Sequence, residues 1–233
     1  MPYRRLPKTD QARLTALRAA IQQGEHDGIS NPIVSLKLQH EAKTLLSQYE
    51  QALFVYKQSL SNQKSSIGKS RENIRMVRLY VSHFLQVLNM SITRGELKKS
   101  NKTFYGLDPE SNSVPNLTSE KSLLKWGERI IKGETERLKN GGVPVYNPNI
   151  AKVNVYFDIF KENQQEQKIF QLNTQRYAEA VKKMREKCDE LIMEIWNEVE
   201  AHFIDLSWDE RMAVCKKYGL IYYYRRGEKL SEL

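Results

Sequence analysis

The residues of this sequence that could do chemistry together are basic and aromatic. Arg71, Arg75 and Arg78 recur at helical spacing beside an apolar stripe. A second group, near the C-terminus, interleaves cations with tyrosines. Its members are Lys216, Lys217, Tyr222, Tyr224, Arg225 and Arg226. Cations that contact phosphates and rings that stack on bases are how proteins hold single-stranded nucleic acid. These nine residues are therefore a candidate contact surface for nucleic acid or for an acidic protein partner.

Two other interpretations of these residues stay open. The arginines can form an ordinary solvated helix face, and the tyrosines can pack the tail onto a helical bundle. Residues 186–210 also contain nine acidic residues against the single base Lys187. Glu186, Glu190, Glu194 and Glu198 recur every four residues and so share one helix face. We expect this face to pair with the Arg71–Arg78 face, within one chain or between chains, rather than to bind a metal.

The common catalytic and cofactor motifs are missing from the sequence. The residues three positions before the four histidines are Gln23, Lys37, Tyr80 and Val199, so no Glu-x-x-His pair exists for a di-iron centre. There is also no Walker loop, no Gly-x-Gly-x-x-Gly and no Gly-x-Ser-x-Gly. The sequence therefore predicts no enzyme, no cofactor, no metal and no small-molecule ligand.

Length and composition set the class of protein. The chain has 233 residues, of which 40% are hydrophobic and 28% charged, with a net charge of +9. Such a chain can bury a sizeable core. No apolar run follows the N-terminal charges, and no stretch reaches the roughly 18 apolar residues of a membrane span. We expect a cytoplasmic protein without a membrane partner, in which Cys188 is a buried thiol on an apolar stripe.

The first half of the chain predicts an antiparallel helical hairpin. A first helix opens at Thr9 and closes near Gly28. Asn31 precedes a proline and is expected to cap a second helix that extends to about residue 66. Gly68 is expected to break the chain before a third helix, which carries apolar residues in heptad rhythm as far as Ile92.

The second half predicts a loop, a short helix and a long helical segment. Residues 94–118 are rich in Gly, Pro, Ser and Asn and are expected to be irregular. The apolar patch at 102–107 would either plug that loop onto one end of the bundle or dock a partner. Residues 149–206 contain no Gly or Pro, so we expect one long helix, or two with a turn within 161–174.

The ends of the predicted helices complete the architecture. Ser119 is expected to cap the short helix, and Ser207 with Glu210 has the spacing of a capping box for a last helix. A basic, aromatic tail occupies residues 219–233. The predicted fold class is all-α: one domain over residues 1–233, an up-and-down bundle of long antiparallel helices with short helices at its ends.

Two terminal segments carry a family resemblance. Residues 2–14, Pro-Tyr-Arg-Arg-Leu-Pro-Lys-Thr-Asp-Gln-Ala-Arg-Leu, and residues 219–226, Gly-Leu-Ile-Tyr-Tyr-Tyr-Arg-Arg, resemble a group of all-helical proteins of unknown function from Bacteroidetes bacteria. The resemblance rests mainly on the N-terminal segment. It implies a bacterial cytosolic protein and assigns no catalytic residues.

Together these features favour a non-enzymatic helical scaffold or protein-interaction protein. Such a protein would associate with itself, or with another helical protein, through its long helices. The alternative is a nucleic-acid-associated protein that uses the basic helix face and the Tyr/Arg tail. A ligand-binding pocket between the bundle and loop 94–118 is a third hypothesis, and no residue-level motif supports it.

Overall fold

The computed structural model describes residues 3–28 and 32–225, and within them the predicted all-α bundle is confirmed. The α-helices are α1 (Asp10–Asp27), α2 (Leu36–Thr93), α3 (Glu120–Lys139), α4 (Ile150–His202) and α5 (Trp208–Lys217). A 3₁₀ helix spans Lys99–Tyr105, and two short strands are β1 (Tyr3–Arg4) and β2 (Tyr222–Tyr223). Two of the helices, α2 and α4, are far longer than the others.

Helix α2 is continuous through Gly68, so the predicted hairpin at that residue is wrong. The helix has 58 residues, and a β-carbon built at Gly68 meets no atom within 4 Å. One exposed glycine costs a helix only about 1 kcal/mol, which packing on either side of it outweighs. The predicted cap Asn31 lies outside the described residues.

Helix α4 is likewise a single helix, which settles the alternative left open for residues 149–206. It has 53 residues and contains no turn within 161–174. The absence of Gly and Pro was the relevant signal, because those residues end helices most effectively.

The segment between α2 and α3 is less irregular than predicted. It contains the 3₁₀ helix, which ends at Gly106 in the left-handed conformation with a φ of 66°. Tyr105 is fully buried and its ring lies edge-on to Phe84, at 6.1 Å between centroids. This burial favours the plug interpretation of the 102–107 patch over partner docking.

The chain divides into two compact units. The terminal unit comprises residues 1–60 and 173–233, and the central unit comprises residues 61–172. In the terminal unit the largest buried side chains include Trp196, Tyr49 and Tyr218. The core of the central unit is built around Phe84, Tyr105, Phe157 and Phe160.

The C-terminal tail contains a short strand. β2 pairs antiparallel with β1, with Tyr3 opposite Tyr223 and Arg4 opposite Tyr222. Strands of two residues are too short to show the alternation of apolar and polar residues that identifies a strand in a sequence. The sequence therefore does not predict this pairing. It supports the interpretation in which the tyrosines pack the tail onto the protein.

Both cysteines are free and buried, as predicted for Cys188. Burial raises the pKa of the Cys188 thiol to about 11. Among the described residues, no helix combines the length and apolar content that crossing a bilayer requires.

Candidate interaction surface

The nine predicted contact residues fall on different units. Arg71, Arg75 and Arg78 lie on α2 in the central unit, and the other five that the structure describes belong to the terminal unit. Arg78 is half-buried and donates from Nε to the Leu117 carbonyl at 3.0 Å and from Nη2 to the Thr118 carbonyl at 2.9 Å. It anchors the segment that precedes α3, whereas Arg71 and Arg75 are exposed.

In the terminal unit, some of the predicted contact residues already interact with other residues of the same chain. Tyr222 donates its hydroxyl proton to Glu200 Oε1 at 2.7 Å, and the Arg225 guanidinium lies 4.2 Å from the centroid of the Tyr3 ring. Tyr224 is exposed. Lys216 and Lys217 are exposed in the last turn of α5, where cations favourably oppose the helix dipole. Arg226 lies outside the described residues.

The acidic block of α4 is partly paired within the same unit. Arg13 makes a two-pronged contact with Asp189, at 2.8 and 2.7 Å, and Arg4 reaches Glu200 at 3.0 Å. Glu198 accepts a hydrogen bond from the Ser35 backbone N–H at 2.7 Å. Across the described residues, no group of His, Cys, Asp or Glu side chains is arranged to hold a metal ion. Three of the nine acidic residues of this block therefore help to hold the terminal unit together.

The exposed face of α2 in the central unit carries two cations between two apolar side chains. Ile67, Arg71, Arg75 and Leu79 recur every four residues, and we call them the basic stripe. Ile67 is 39% exposed and Leu79 is 56% exposed. Residues spaced by four form the ridges through which helices commonly pack. Among the described residues, the ion-pair partner of Arg75 is Glu72, at 3.7 Å, and exposed pairs of this kind are weak.

Helix α4 carries the opposite charges in the same arrangement on its part of the central unit. We call Val155, Ile159, Glu162, Glu166 and Ile169 the acidic stripe, and its steps of four and three residues keep it on one face. Val155 and Ile169 are each 57% exposed and Ile159 is 37% exposed. Neither glutamate forms an ion pair within the part of the chain that the structure describes.

The two stripes match in length and in order. At 1.5 Å per residue, Ile67 and Leu79 are about 18 Å apart along α2, and Val155 and Ile169 about 21 Å apart along α4. Each stripe has its charges in the middle and its apolar groups at both ends. Laid against each other, they would place arginines on glutamates and apolar side chains on apolar side chains.

Sequence reasoning found half of this surface. The charge of Arg71 and Arg75 marks them in the sequence, whereas Ile67 and Leu79 fall outside the apolar stripe of the core and carry no such signal. On α4 the sequence of residues 161–174 indicates a possible turn rather than an exposed surface. The signal that could have found the acidic stripe is the four-three spacing that continues through Glu162 and Glu166 to Ile169.

Comparison of the chain with protein-family models, with curated proteins and with solved structures gives no match.

Proposed function

We propose that this protein is a non-enzymatic helical interaction protein that associates with copies of itself through the central unit. The basic stripe of one copy packs on the acidic stripe of another. The observation that carries the proposal is the complementarity of the two stripes, since both are exposed on one unit and match in charge, order and length.

The apolar groups supply most of the free energy in this contact. The five apolar side chains of the two stripes are each more than a third exposed: Ile67, Leu79, Val155, Ile159 and Ile169. Burying them in the contact contributes roughly 25 cal/mol of favourable free energy per Å² of apolar surface removed from water. The ion pairs add little affinity, because exposed pairs contribute about 0–1 kcal/mol each.

The charges instead select the partner. Two acidic stripes facing each other would bring four carboxylates together, and two basic stripes would bring four guanidinium groups together. Like charges across an interface are costly, so only the mixed pairing is favourable. If each copy offers both stripes to the other, the result is a closed dimer; contacts in one direction only would give an open chain.

Light scattering behind size exclusion tests the proposal. We expect the protein to exceed the mass of one chain, and we expect the double variant Arg71→Glu/Arg75→Glu to elute as a monomer. The matched control is Lys121→Glu/Lys125→Glu, an equal charge change at two exposed positions on α3 in the same unit. A monomeric natural chain at every concentration, or equal masses for the two variants, would contradict the proposal.

Nucleic-acid binding is the second candidate, and the exposed Arg71 and Arg75 together with the net charge of +9 favour it. A variant with Glu162→Arg and Glu166→Arg separates the two functions. Added cations strengthen binding to a phosphate backbone, but they abolish pairing between the two stripes. Binding to mixed-sequence single-stranded DNA that rises in this variant and falls steeply with salt would support the second candidate.

We propose the bacterial cytoplasm as the location of this role. The two free thiols support a reducing compartment, and the terminal resemblance to bacterial proteins supports the source.

A further inference from the structure

A buried arginine in the central unit has a nitrogen without a partner. Arg137 on α3 is 2% exposed. Its Nε donates to the Tyr105 hydroxyl and to Glu134 Oε2, each at 2.9 Å. Its Nη2 donates to Glu134 Oε1 at 2.8 Å and to the Val143 carbonyl at 2.7 Å. Nη1 is buried and has no hydrogen-bond partner among the described residues. Its N–H groups therefore lack an acceptor among these residues.

Glu134, the acidic neighbour of Arg137, already accepts hydrogen bonds at both of its carboxylate oxygens. The fully buried carboxylate of Glu134 accepts from Nε and Nη2 of Arg137, from the Tyr105 hydroxyl and from the Val145 backbone N–H at 3.1 Å. Burial alone would raise the pKa of this carboxyl, but these hydrogen bonds outweigh it and the pKa is lowered. Glu134 is thus ionised and occupied, so a partner for Nη1 has to come from elsewhere.

Arg137 lines a recess of about 340 Å³ whose rim is basic and polar. Lys98, Asn101 and Asn140 also line it, and Lys98 is exposed. The one carboxylate on the lining, that of Glu96, is held by Arg94 through contacts of 2.7 and 3.2 Å. A buried guanidinium with a free edge, a lysine and two amides form a donor-rich site suited to an oxyanion.

Gly142 lines the same recess beside the free nitrogen. A β-carbon at this position would lie 2.8 Å from Arg137 Nη1, closer than such contacts allow. It would lie equally close, at 2.8 Å, to the Arg137 carbonyl oxygen. The absence of a side chain at Gly142 therefore leaves room for the Arg137 guanidinium on this wall of the recess.

The geometry points to a binding site for a small-molecule oxyanion, a carboxylate or a phosphate group, held by Arg137 Nη1 and Lys98. Asn101 and Asn140 would orient the bound group with their amides. The site is separate from the two stripes, and it differs from the expectation from sequence of no small-molecule ligand.

Titration followed by ¹H–¹⁵N NMR tests this site on the full chain. Inorganic phosphate and acetate are added separately at constant ionic strength, so that the two arms distinguish a phosphate from a carboxylate preference. We expect a saturable shift of the Gly142 amide and of the Asn101 and Asn140 side-chain amides with at least one of the two anions. Non-saturating shifts, or shifts spread over surface lysines, would overturn the proposal.

Neighbouring lysines provide matched variants. Lys98→Gln should weaken the binding about tenfold, the effect of losing one charge-assisted hydrogen bond. Lys99→Gln should leave it unchanged, because Lys99 instead contacts Glu110 at 2.7 Å. Equal effects of the two lysine variants would show that no specific site exists.

Discussion

At the scale of single residues, long-range ion pairs hold the terminal unit together. Asp10, the first residue of α1, accepts two hydrogen bonds from Arg185 on α4, at 2.7 and 2.8 Å, and one from the Tyr49 hydroxyl at 2.7 Å. The hydrogen bonds from Arg185 outweigh burial and lower the pKa of the Asp10 carboxyl to about 2. One carboxylate thus ties three helices together.

This pKa makes the stability of the terminal unit depend on pH. Because the pKa of Asp10 is lower in the folded chain than in the unfolded one, its contribution is present above about pH 4 and is lost as the pH falls towards 2. Solvent screens this partly exposed pair, so the shift corresponds to a stability contribution of about 1–2 kcal/mol. We expect Asp10→Asn to lower the free energy of unfolding by that amount at pH 7, as measured in urea.

The difference between Asp10→Asn and the natural chain should narrow as the pH is lowered from 4 to 2. Glu25→Gln is the control, because Glu25 lies on the same helix and makes only an exposed pair with Lys43. It should change stability by less than about 1 kcal/mol at any pH. A gap for Asp10→Asn that stays constant with pH would refute the role given to Arg185.

Sequence reasoning had uneven success with single residues. The burial of Cys188 followed from its place on an apolar stripe and is confirmed. Arg78 was grouped with exposed contacts, yet it binds two backbone carbonyls about 40 residues further along the chain. A carbonyl acceptor carries no side-chain signature, so residue types and spacing could not show this contact. Asp10 was missed for the same reason, since its partner Arg185 is remote in sequence.

At the scale of elements, helix ends were predicted better than helix continuity. Thr9 caps α1 by accepting from the Ala12 N–H at 3.2 Å, and Ser119 caps α3 in the same way at 3.1 Å. Ser207 was expected to complete a capping box, but its hydroxyl donates to Glu210 Oε2 at 2.6 Å and makes no side-chain cap. Caps are local, whereas the continuity of α2 through Gly68 depends on packing.

The two kinds of helical glycine should respond in opposite ways to substitution. Gly68→Ala should raise the free energy of unfolding by about 1 kcal/mol, because alanine restricts the unfolded chain and meets nothing within 4 Å. Gly133→Ala should lower it, since its β-carbon would lie 2.5 Å from the Phe104 carbonyl oxygen. Urea unfolding measures both. Loss of stability in Gly68→Ala would mean that α2 is not helical at that residue.

At the scale of the whole molecule, the net charge does not show how positive and negative side chains are distributed over the surface. The net charge of +9 suggests nucleic acid, yet Glu162 and Glu166 form an unpaired acidic patch among the described residues of the central unit. The sequence predicted the fold class because 3.6-residue periodicity survives along both long helices. It could not show which side chains remain exposed after packing, and the interaction surface depends on that exposure.

A mixing experiment tests self-association most directly. The first variant, Arg71→Glu/Arg75→Glu, makes the basic stripe acidic, and the second, Glu162→Arg/Glu166→Arg, makes the acidic stripe basic. Each variant alone therefore places like charges across the contact. In a mixture, each stripe of one variant meets a stripe of opposite charge on the other. We predict that each is monomeric alone by light scattering and that an equimolar mixture regains the mass of the natural assembly. A mixture that remains monomeric, while the natural chain associates, would contradict pairing between the basic and acidic stripes.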